Sequence, residues 1–277
     1  MRRVFPLALF GLVALLGQPA QAAVGQLRVL TYNIAGLPDG FSTEHPSANM
    51  AAIGKRLAGF DLALLQEDFA YGASLRQAVT LQYQSPAFVR GDHWHFGDGL
   101  SQFSALPFAP LTREPWRACH GIFDSYNDCL TPKGFSYTRQ TLATGVEIDV
   151  YDLHLDAGGS NGDRTAREAQ IAQLIAAIAE HSKDRALLVA GDTNIHGRHS
   201  ELLQQLEQKA GLIDVCRALD CPEPQRIDRI YVRSSAHLTW KPRSWAIDRG
   251  FVDAQGAPLS DHLAVTAELD WSSSSGI

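Results

Sequence analysis

Eight polar residues in this chain stand where an apolar run stops or starts: Asn33, Glu67, His154, Asp192, Asn194, Asp228, Asp261 and His262. The run Ala186–Ala190 is followed at once by Gly191, Asp192, Thr193 and Asn194. Leu27–Tyr32 ends in Asn33, Leu62–Gln66 in Glu67, and Val146–Leu153 in His154, while Ser260-Asp261-His262 opens Leu263–Val265. Taken singly, an Asn or Asp after a strand is a turn former, and a lone His is a satisfied core or surface residue. Taken together they predict one sheet edge that carries a site, with the last strand running antiparallel to a neighbour. The chemistry follows from the donor types. Carboxylates and amides offer oxygen ligands to a hard cation, and magnesium fits this inventory better than zinc, which wants nitrogen or sulfur. Two imidazoles beside such a cation suit attack of water on a phosphate ester. The cation neutralises phosphate oxygens, one His takes the proton of the water, and fixed donors stabilise the transition state.

The elements that must position these residues are legible in the pattern. Short apolar runs bounded by turn residues read as strands: Leu27–Asn33, Asp61–Glu67, Gly99–Ala105, Ala186–Ala190, Arg226–Val232, Leu238–Ser244 and Leu263–Leu269. Phe135–Leu142 and Val146–His154 form a hairpin across Ala143-Thr144-Gly145. Helical spacing of apolar residues predicts helices over Ser47–Ala58, with Ser47 near the N-cap, and over Ala73–Gln82 and Glu201–Ala210. A long helix carries the stripe Ala169, Ile171, Leu174, Ile175 and Ile178, with Thr165–Glu168 in capping-box form near its start. Strands, hairpins and helices mix without a strict βαβ rhythm. The fold class expected is therefore α/β, two mixed sheets packed together with helices outside.

Met1-Arg2-Arg3, the apolar stretch Val4–Gly17 and the small-x-small site Ala20-Gln21-Ala22 read as a signal peptide over residues 1–22. The expectation is an exported chain, secreted or periplasmic, starting at Ala23. The formal charge is −6, becoming −8 without Arg2 and Arg3, which argues against loose, charge-driven binding of nucleic acid. One domain over residues 23–271 is expected, with a disordered tail over 272–277. The four cysteines, Cys119, Cys129, Cys216 and Cys221, predict two disulfides in an exported chain, paired between sequence neighbours as Cys119–Cys129 and Cys216–Cys221. A zinc site would need a C-x-x-C pair, which the sequence lacks.

Two other features compete for attention. Gly158-Gly159-Ser160-Asn161-Gly162 fits G-x-S-x-G, and Asp192 or Asp228 with His262 would complete the order Ser…Asp…His of a serine hydrolase. That motif needs its Ser on a tight strand-to-helix turn, whereas Ser160 lies several residues past the strand end. Asp92-His93-Trp94-His95-Phe96 is an aromatic cluster that reads as a loop or as a contact with substrate or a lipid surface.

The segments Leu30-Thr31-Tyr32-Asn33, Leu65-Gln66-Glu67, Asp152-Leu153-His154, Gly191-Asp192-Thr193-Asn194, Ile227-Asp228-Arg229-Ile230 and Ser260-Asp261-His262 resemble, in order, the signature blocks of the endonuclease/exonuclease/phosphatase superfamily. The resemblance runs from about Leu27 to Leu269. It implies a four-layer α/β/β/α sandwich and metal-dependent phosphodiester hydrolysis without a covalent intermediate. It implies that Glu67, helped by Asn33, holds the divalent metal, magnesium or else manganese or calcium, with Asp261 beside it. Asp192 and Asn194 would position water and the phosphoryl group. His262 would be the general base oriented by Asp228, and His154 would bond a phosphate oxygen or assist the leaving group. Within the superfamily, Cys119-His120-Gly121, Asp128–Tyr137, Asp98-Gly99-Leu100 and Ser104–Pro107 look like secreted bacterial neutral sphingomyelinases. Asp228-Arg229-Ile230 is more similar to pancreatic-type deoxyribonucleases. The resemblance thus implies a phospholipid or a nucleic-acid phosphodiester as substrate, peripheral membrane contact and no obligate protein partner. A basic groove drawn from Arg164, Arg167, Arg198 and Arg229 would mark the nuclease. A non-catalytic binding protein on the same fold is the third reading. Asp68 after Glu67 and Thr193 between Asp192 and Asn194 depart from the family pattern, which favours apolar residues there.

Overall fold

Twelve strands pair into two sheets of six in the computed structural model, which describes residues 22–41, 44–88, 96–122, 125–197 and 200–274. In chain order the strands are β1 (Val24–Asn33), β2 (Leu62–Gln66), β3 (Tyr83–Gln84), β4 (Ser101–Ser104), β5 (Thr112–Pro115) and β6 (Gly134–Ala143). They continue with β7 (Val146–His154), β8 (Leu187–Asp192), β9 (Ile213–Asp214), β10 (Asp228–Arg233), β11 (Leu238–Asp248) and β12 (Ala264–Ser273). One sheet has the order β11-β12-β1-β2-β4-β3 and the other β5-β6-β7-β8-β10-β9. Both are mixed, since β1 pairs β2 and β7 pairs β8 in parallel while the remaining neighbours are antiparallel.

The helices are α1 (Pro46–Arg56), α2 (Gly72–Ala78), α3 (Asn161–His181), α4 (Ser200–Ala210) and α5 (Val215–Ala218). Met50, Ile53 and Leu57 with Leu75 cover the outer face of the first sheet, packing on Leu30, Tyr32, Ala63 and Leu65. Ile171, Leu174 and Ile178 of α3 and Leu202, Leu203 and Leu206 of α4 cover the second, on Tyr151, Leu153, Leu187, Val189 and Tyr231. A third core lies between the sheets. The result is the four-layer α/β/β/α sandwich that the resemblance implies.

Because side chains alternate across a strand, each inner strand presents one row to the central core. These rows are Leu27, Val29, Thr31, Asn33; Leu62, Leu64, Gln66; Ile148, Val150, Asp152, His154; Leu188, Ala190, Asp192; and, running the opposite way, Val232, Ile230, Asp228. The lower members belong to the apolar core between the sheets. At the upper end every row turns polar, and all these polar members stay buried. The site is thus an end of the central layer rather than a loop laid over it.

Some boundaries differ from expectation. Ser272 and Ser273, expected in a disordered tail, extend β12 and pair with Val24 and Leu238. The ladder uses backbone groups, which serine supplies as well as any residue; residues 275–277 lie outside the described residues. The α1 cap is His45 in a left-handed conformation, followed by Pro46, whose fixed φ suits the first turn. Ser47 instead hydrogen-bonds Asp39 from inside that turn. The α3 capping box is Ser160 with Asp163, a turn before Thr165. The signal-peptide expectation falls outside the described residues apart from Ala22, as do Asp92–His95 and Arg198. Both disulfides pair sequence neighbours, Cys119–Cys129 and Cys216–Cys221.

Candidate active site

Strand pairing assembles the site from four directions. The parallel register of β7 and β8 puts His154 beside Asp192, and the antiparallel register of β8 and β10 puts Asp228 on the other side of Asp192. In the first sheet Asn33 pairs Gln66, so Asn33 and Glu67 sit together at the ends of β1 and β2. The antiparallel course of β12 returns the preceding residues, Ser260–His262, to the same end, and Ser260 Oγ donates to the Asn33 carbonyl at 2.7 Å.

Asn33 Nδ2 joins the two sheets, donating to Glu67 Oε1 at 2.8 Å and to Asp192 Oδ2 at 3.2 Å. His154 Nε2 faces the same two carboxylates, 3.4 Å from Asp192 Oδ2 and 3.9 Å from Glu67 Oε1. His262 Nδ1 lies 3.0 and 3.1 Å from the two oxygens of Asp228, and its Nε2 lies 3.7 Å from Asp192 Oδ2. Asn194, in a left-handed turn, donates its backbone N–H to Asp192 Oδ1 at 2.9 Å and its amide to the Leu155 carbonyl at 3.0 Å. Seven of the eight expected residues thus meet. Asp261 is exposed, hydrogen-bonds Ser260 at 3.3 Å, and reaches the cluster through its charge on His262.

Backbone strain marks one of these positions. Glu67 adopts φ 61°, a left-handed conformation that an ordinary residue keeps only when its surroundings demand it. Its carbonyl accepts from Gly36 N at 3.0 Å, and a Cβ on Gly36 would stand 2.3 Å from that oxygen. Two family departures also find their reasons. Asp68 turns away to Arg76 at 2.6 Å and accepts from Ser101 Oγ at 2.6 Å. Thr193 ties the ends of β8 and β10 by donating both its N–H and its hydroxyl to the Ile227 carbonyl.

Electrostatics divides the two histidines. Burial, reinforced by Lys133 and His262, holds His154 well below the usual imidazole range, so its ring is neutral. Burial also opposes charge on His262, but the hydrogen bond and charge of Asp228, with Asp192 and Asp261, overcome it and push the ring up to about 10. Burial and the Asp228 carboxylate push Asp192 up to about 6. The raised His262 and Asp192 reflect carboxylates crowded together at this end of the layer. Asp192, Asp228 and His262 bring ligand atoms within 4.8 Å of one another, yet Asp228 is already engaged by His262 and by Arg226 Nη2 at 3.1 Å. Glu67, with 20% of its side chain exposed, is the carboxylate that opens toward solvent. Hard oxygen donors in an electronegative pocket fit magnesium, with Glu67 as the carboxylate best placed to hold it.

Several neighbours carry no obvious strand-end signal. Lys133 pairs with Asp128 at 2.5 Å and donates to the Leu155 carbonyl at 3.5 Å. Trp116 Nε1 donates to the His154 carbonyl at 2.7 Å. Lys133 lies in the Asp128–Tyr137 stretch that carries the resemblance, and Arg226 stands two residues before Asp228. Ser160 is not brought to His262: its hydroxyl accepts from Asp163 N as a helix cap. Of the arginines expected in a nuclease groove, the three among the described residues do not line up either. Arg167 is buried and donates to the carbonyls of Asp156, Ala157 and Gly158, Arg229 is buried on Asp214, and Arg164 pairs with Glu201.

A two-sheet α/β sandwich whose central layer ends in an acidic cluster with two histidines defines the class. Residues 30–262 match the Endonuclease/Exonuclease/phosphatase family, and the chain belongs to it. A sphingomyelinase of Mycobacterium bovis is 33% identical over 268 residues, covering 88% of this chain and 52% of that protein. The chain therefore spans about half the length of the curated relatives it matches first. Among solved structures, a mutant beta toxin from Staphylococcus aureus with bound magnesium ions superposes with a TM-score of 0.63 at 17% identity, over 88% of this chain and 99% of that one. D. rerio TDP2 complexed with a single-strand DNA product superposes at 0.67 and 20% identity, over 88% and 98%.

Proposed function

We propose that this is an exported, magnesium-dependent phosphodiesterase that releases the phosphorylated headgroup of a phospholipid such as sphingomyelin. The observation that carries the reading is the His262–Asp228 pair, whose free Nε2 faces Asp192 beside the Asn33–Glu67 contact. Asp228 holds His262 with Nδ1 occupied, which leaves Nε2 to take the proton of an attacking water. Asp192 and Asn194 orient that water and the phosphoryl group. His154, neutral and dry, offers its Nε2 hydrogen to a phosphate oxygen or to the leaving group. Glu67, oriented by the Asn33 amide, would hold a divalent cation, which would supply positive charge for the phosphate oxygens and favour the neutral form of His262.

The lipid assignment is supported by the relatives named sphingomyelinase and by the dispersal of the described arginines that a nucleic-acid groove would need. The nuclease reading draws on the likeness to TDP2, which is a likeness of fold. Sphingomyelin vesicles and duplex DNA, each assayed with magnesium, with EDTA and with His262→Ala, decide between them. Headgroup release that needs both metal and His262, with DNA intact, is the expected result. DNA cleavage with the same dependencies moves the assignment to a nuclease, and a His262→Ala protein equal to the parent in every assay makes the chain a binding protein.

A further inference from the structure

The carboxylate of Asp228 is fully enclosed, and two side chains among the described residues hydrogen-bond it. His262 Nδ1 faces its two oxygens at 3.0 and 3.1 Å, whereas Arg226 Nη2 donates to Oδ2 alone, at 3.1 Å. One N–H at nearly equal distance from two oxygens does not fix how the carboxylate is turned. A second donor on one of those oxygens does. Arg226 is itself held from behind. Its Nη1 lies 3.5 Å from Glu223 Oε2, and its backbone N–H donates to the Glu223 carbonyl at 3.3 Å. The segment that carries both residues is tied down at either end. The Cys216–Cys221 disulfide closes its start, Arg229 Nη2 donates to the Pro224 carbonyl at 3.0 Å, and the Ile227 carbonyl takes both donors of Thr193.

We propose that Arg226 is a positioning residue for the reaction: its guanidinium, braced by Glu223, fixes the rotation of the Asp228 carboxylate and thereby the ring of His262. The line Glu223–Arg226–Asp228–His262 alternates acid and base from the surface, where the Glu223 side chain is 40% exposed, to the reactive imidazole. Charge favours the same role. Asp228 and Asp192 are buried carboxylates on paired positions of β10 and β8, and a guanidinium on Asp228 offsets the repulsion between them. A planar fork can engage two carboxylates through separate nitrogens, which the single ammonium of a lysine cannot. Arg226 borders a cavity of about 520 Å³ that His262 also lines, but its side chain is 18% exposed and both terminal nitrogens are turned to carboxylates. It therefore acts through Asp228 rather than on substrate.

The effect on turnover rests on the reading of His262 as the general base; the effect on its ring does not. Arg226→Met keeps the apolar stem and removes the donors. With sphingomyelin vesicles and magnesium it is expected to lose about 10- to 100-fold in kcat, with KM little changed. Added to Asp228→Asn, it is expected to cost no more than about a further threefold, because Arg226 then has no carboxylate to hold. Losses that multiply, or an Arg226→Met kcat within about threefold of the parent, overturn the inference. In proton spectra the Nδ1–H of His262, assigned by its loss in His262→Gln, is expected to lie downfield in the parent and to shift or broaden in Arg226→Met. An unchanged signal in Arg226→Met also overturns the inference, since a residue that only braced its own loop would leave that proton alone. Arg226→Lys, which keeps a charge but not the fork, is expected between the parent and Arg226→Met in both readings. If Arg226→Met does not fold, Arg226→Lys decides, by whether its loss is coupled to Asp228→Asn or multiplies with it. If the parent hydrolyses no phosphodiester, the functional reading fails and the spectra still test Arg226.

Discussion

His262 Nδ1 sits between the two oxygens of Asp228, at 3.0 and 3.1 Å, while Nε2 of the same ring faces Asp192 across 3.7 Å. The ring is therefore held from behind by one carboxylate and presented to another. Asp228→Asn replaces an acceptor by a group that offers both a donor and an acceptor, so ring orientation and tautomer are no longer set. Its kcat is expected to fall by about 10²- to 10⁴-fold, with folding cooperativity kept. Steady-state kinetics on vesicles checks this, and a kcat within a few-fold of the parent would remove Asp228 from the mechanism.

The same contact has a consequence for stability in the metal-free protein. The folded pKa of His262, about 10, lies above its ordinary 6.5. Its contribution is fully present below 6.5 and is lost as pH rises through about 10. In EDTA, the parent should lose more melting temperature between pH 6.5 and 10.5 than His262→Gln does. Parallel pH dependences for the two proteins would contradict the assignment.

Glu67 is the carboxylate of the cluster that opens toward solvent. Glu67→Gln keeps its size and its contact with Asn33 but removes a hard anionic ligand, and is expected to weaken magnesium binding by at least about tenfold. Calorimetric titration measures this without reference to turnover. Asp261→Asn, at an exposed rim position, should weaken binding much less.

Gly191 lies opposite Leu153 in the β7–β8 ladder, with φ 143° and room for nothing more: an added Cβ would meet the Leu153 carbonyl at 2.0 Å. Gly191→Ala must spread the two strands whose next residues are His154 and Asp192. A loss of about 2 kcal/mol or more in urea unfolding is expected, with activity falling further than stability alone explains. A variant with parental unfolding and parental kcat would show that this register is not needed.

Much of the site was legible in the residues themselves. Period-two alternation and the polar ends of apolar runs marked Asn33, Glu67, His154, Asp192 and Asn194, and the expectation that β12 runs antiparallel explains how His262, at the opposite end of its run, joins them. Other features were not legible, because they depend on which strands become neighbours. Lys133 and Trp116 touch the site through the carbonyls of Leu155 and His154, contacts made by backbone atoms that no side-chain pattern announces. Arg167 and Arg229 looked like groove residues, but the fold turns both inward onto carbonyls and onto Asp214.

The sequence by itself determined the chemistry on offer, because residue type sets donor, acceptor and charge, and determined which face of each strand is apolar, because backbone periodicity is local. Only the tertiary structure decided the pairings: that Asp228 rather than the adjacent Asp261 holds His262, that Asn33 bridges Glu67 and Asp192 across the sheets, and that Gln66 reaches across to Asp152. Such contacts join residues far apart in the chain, and their geometry is set by strand register and sheet stacking, which minimise the exposure of the whole core rather than satisfy any one site residue.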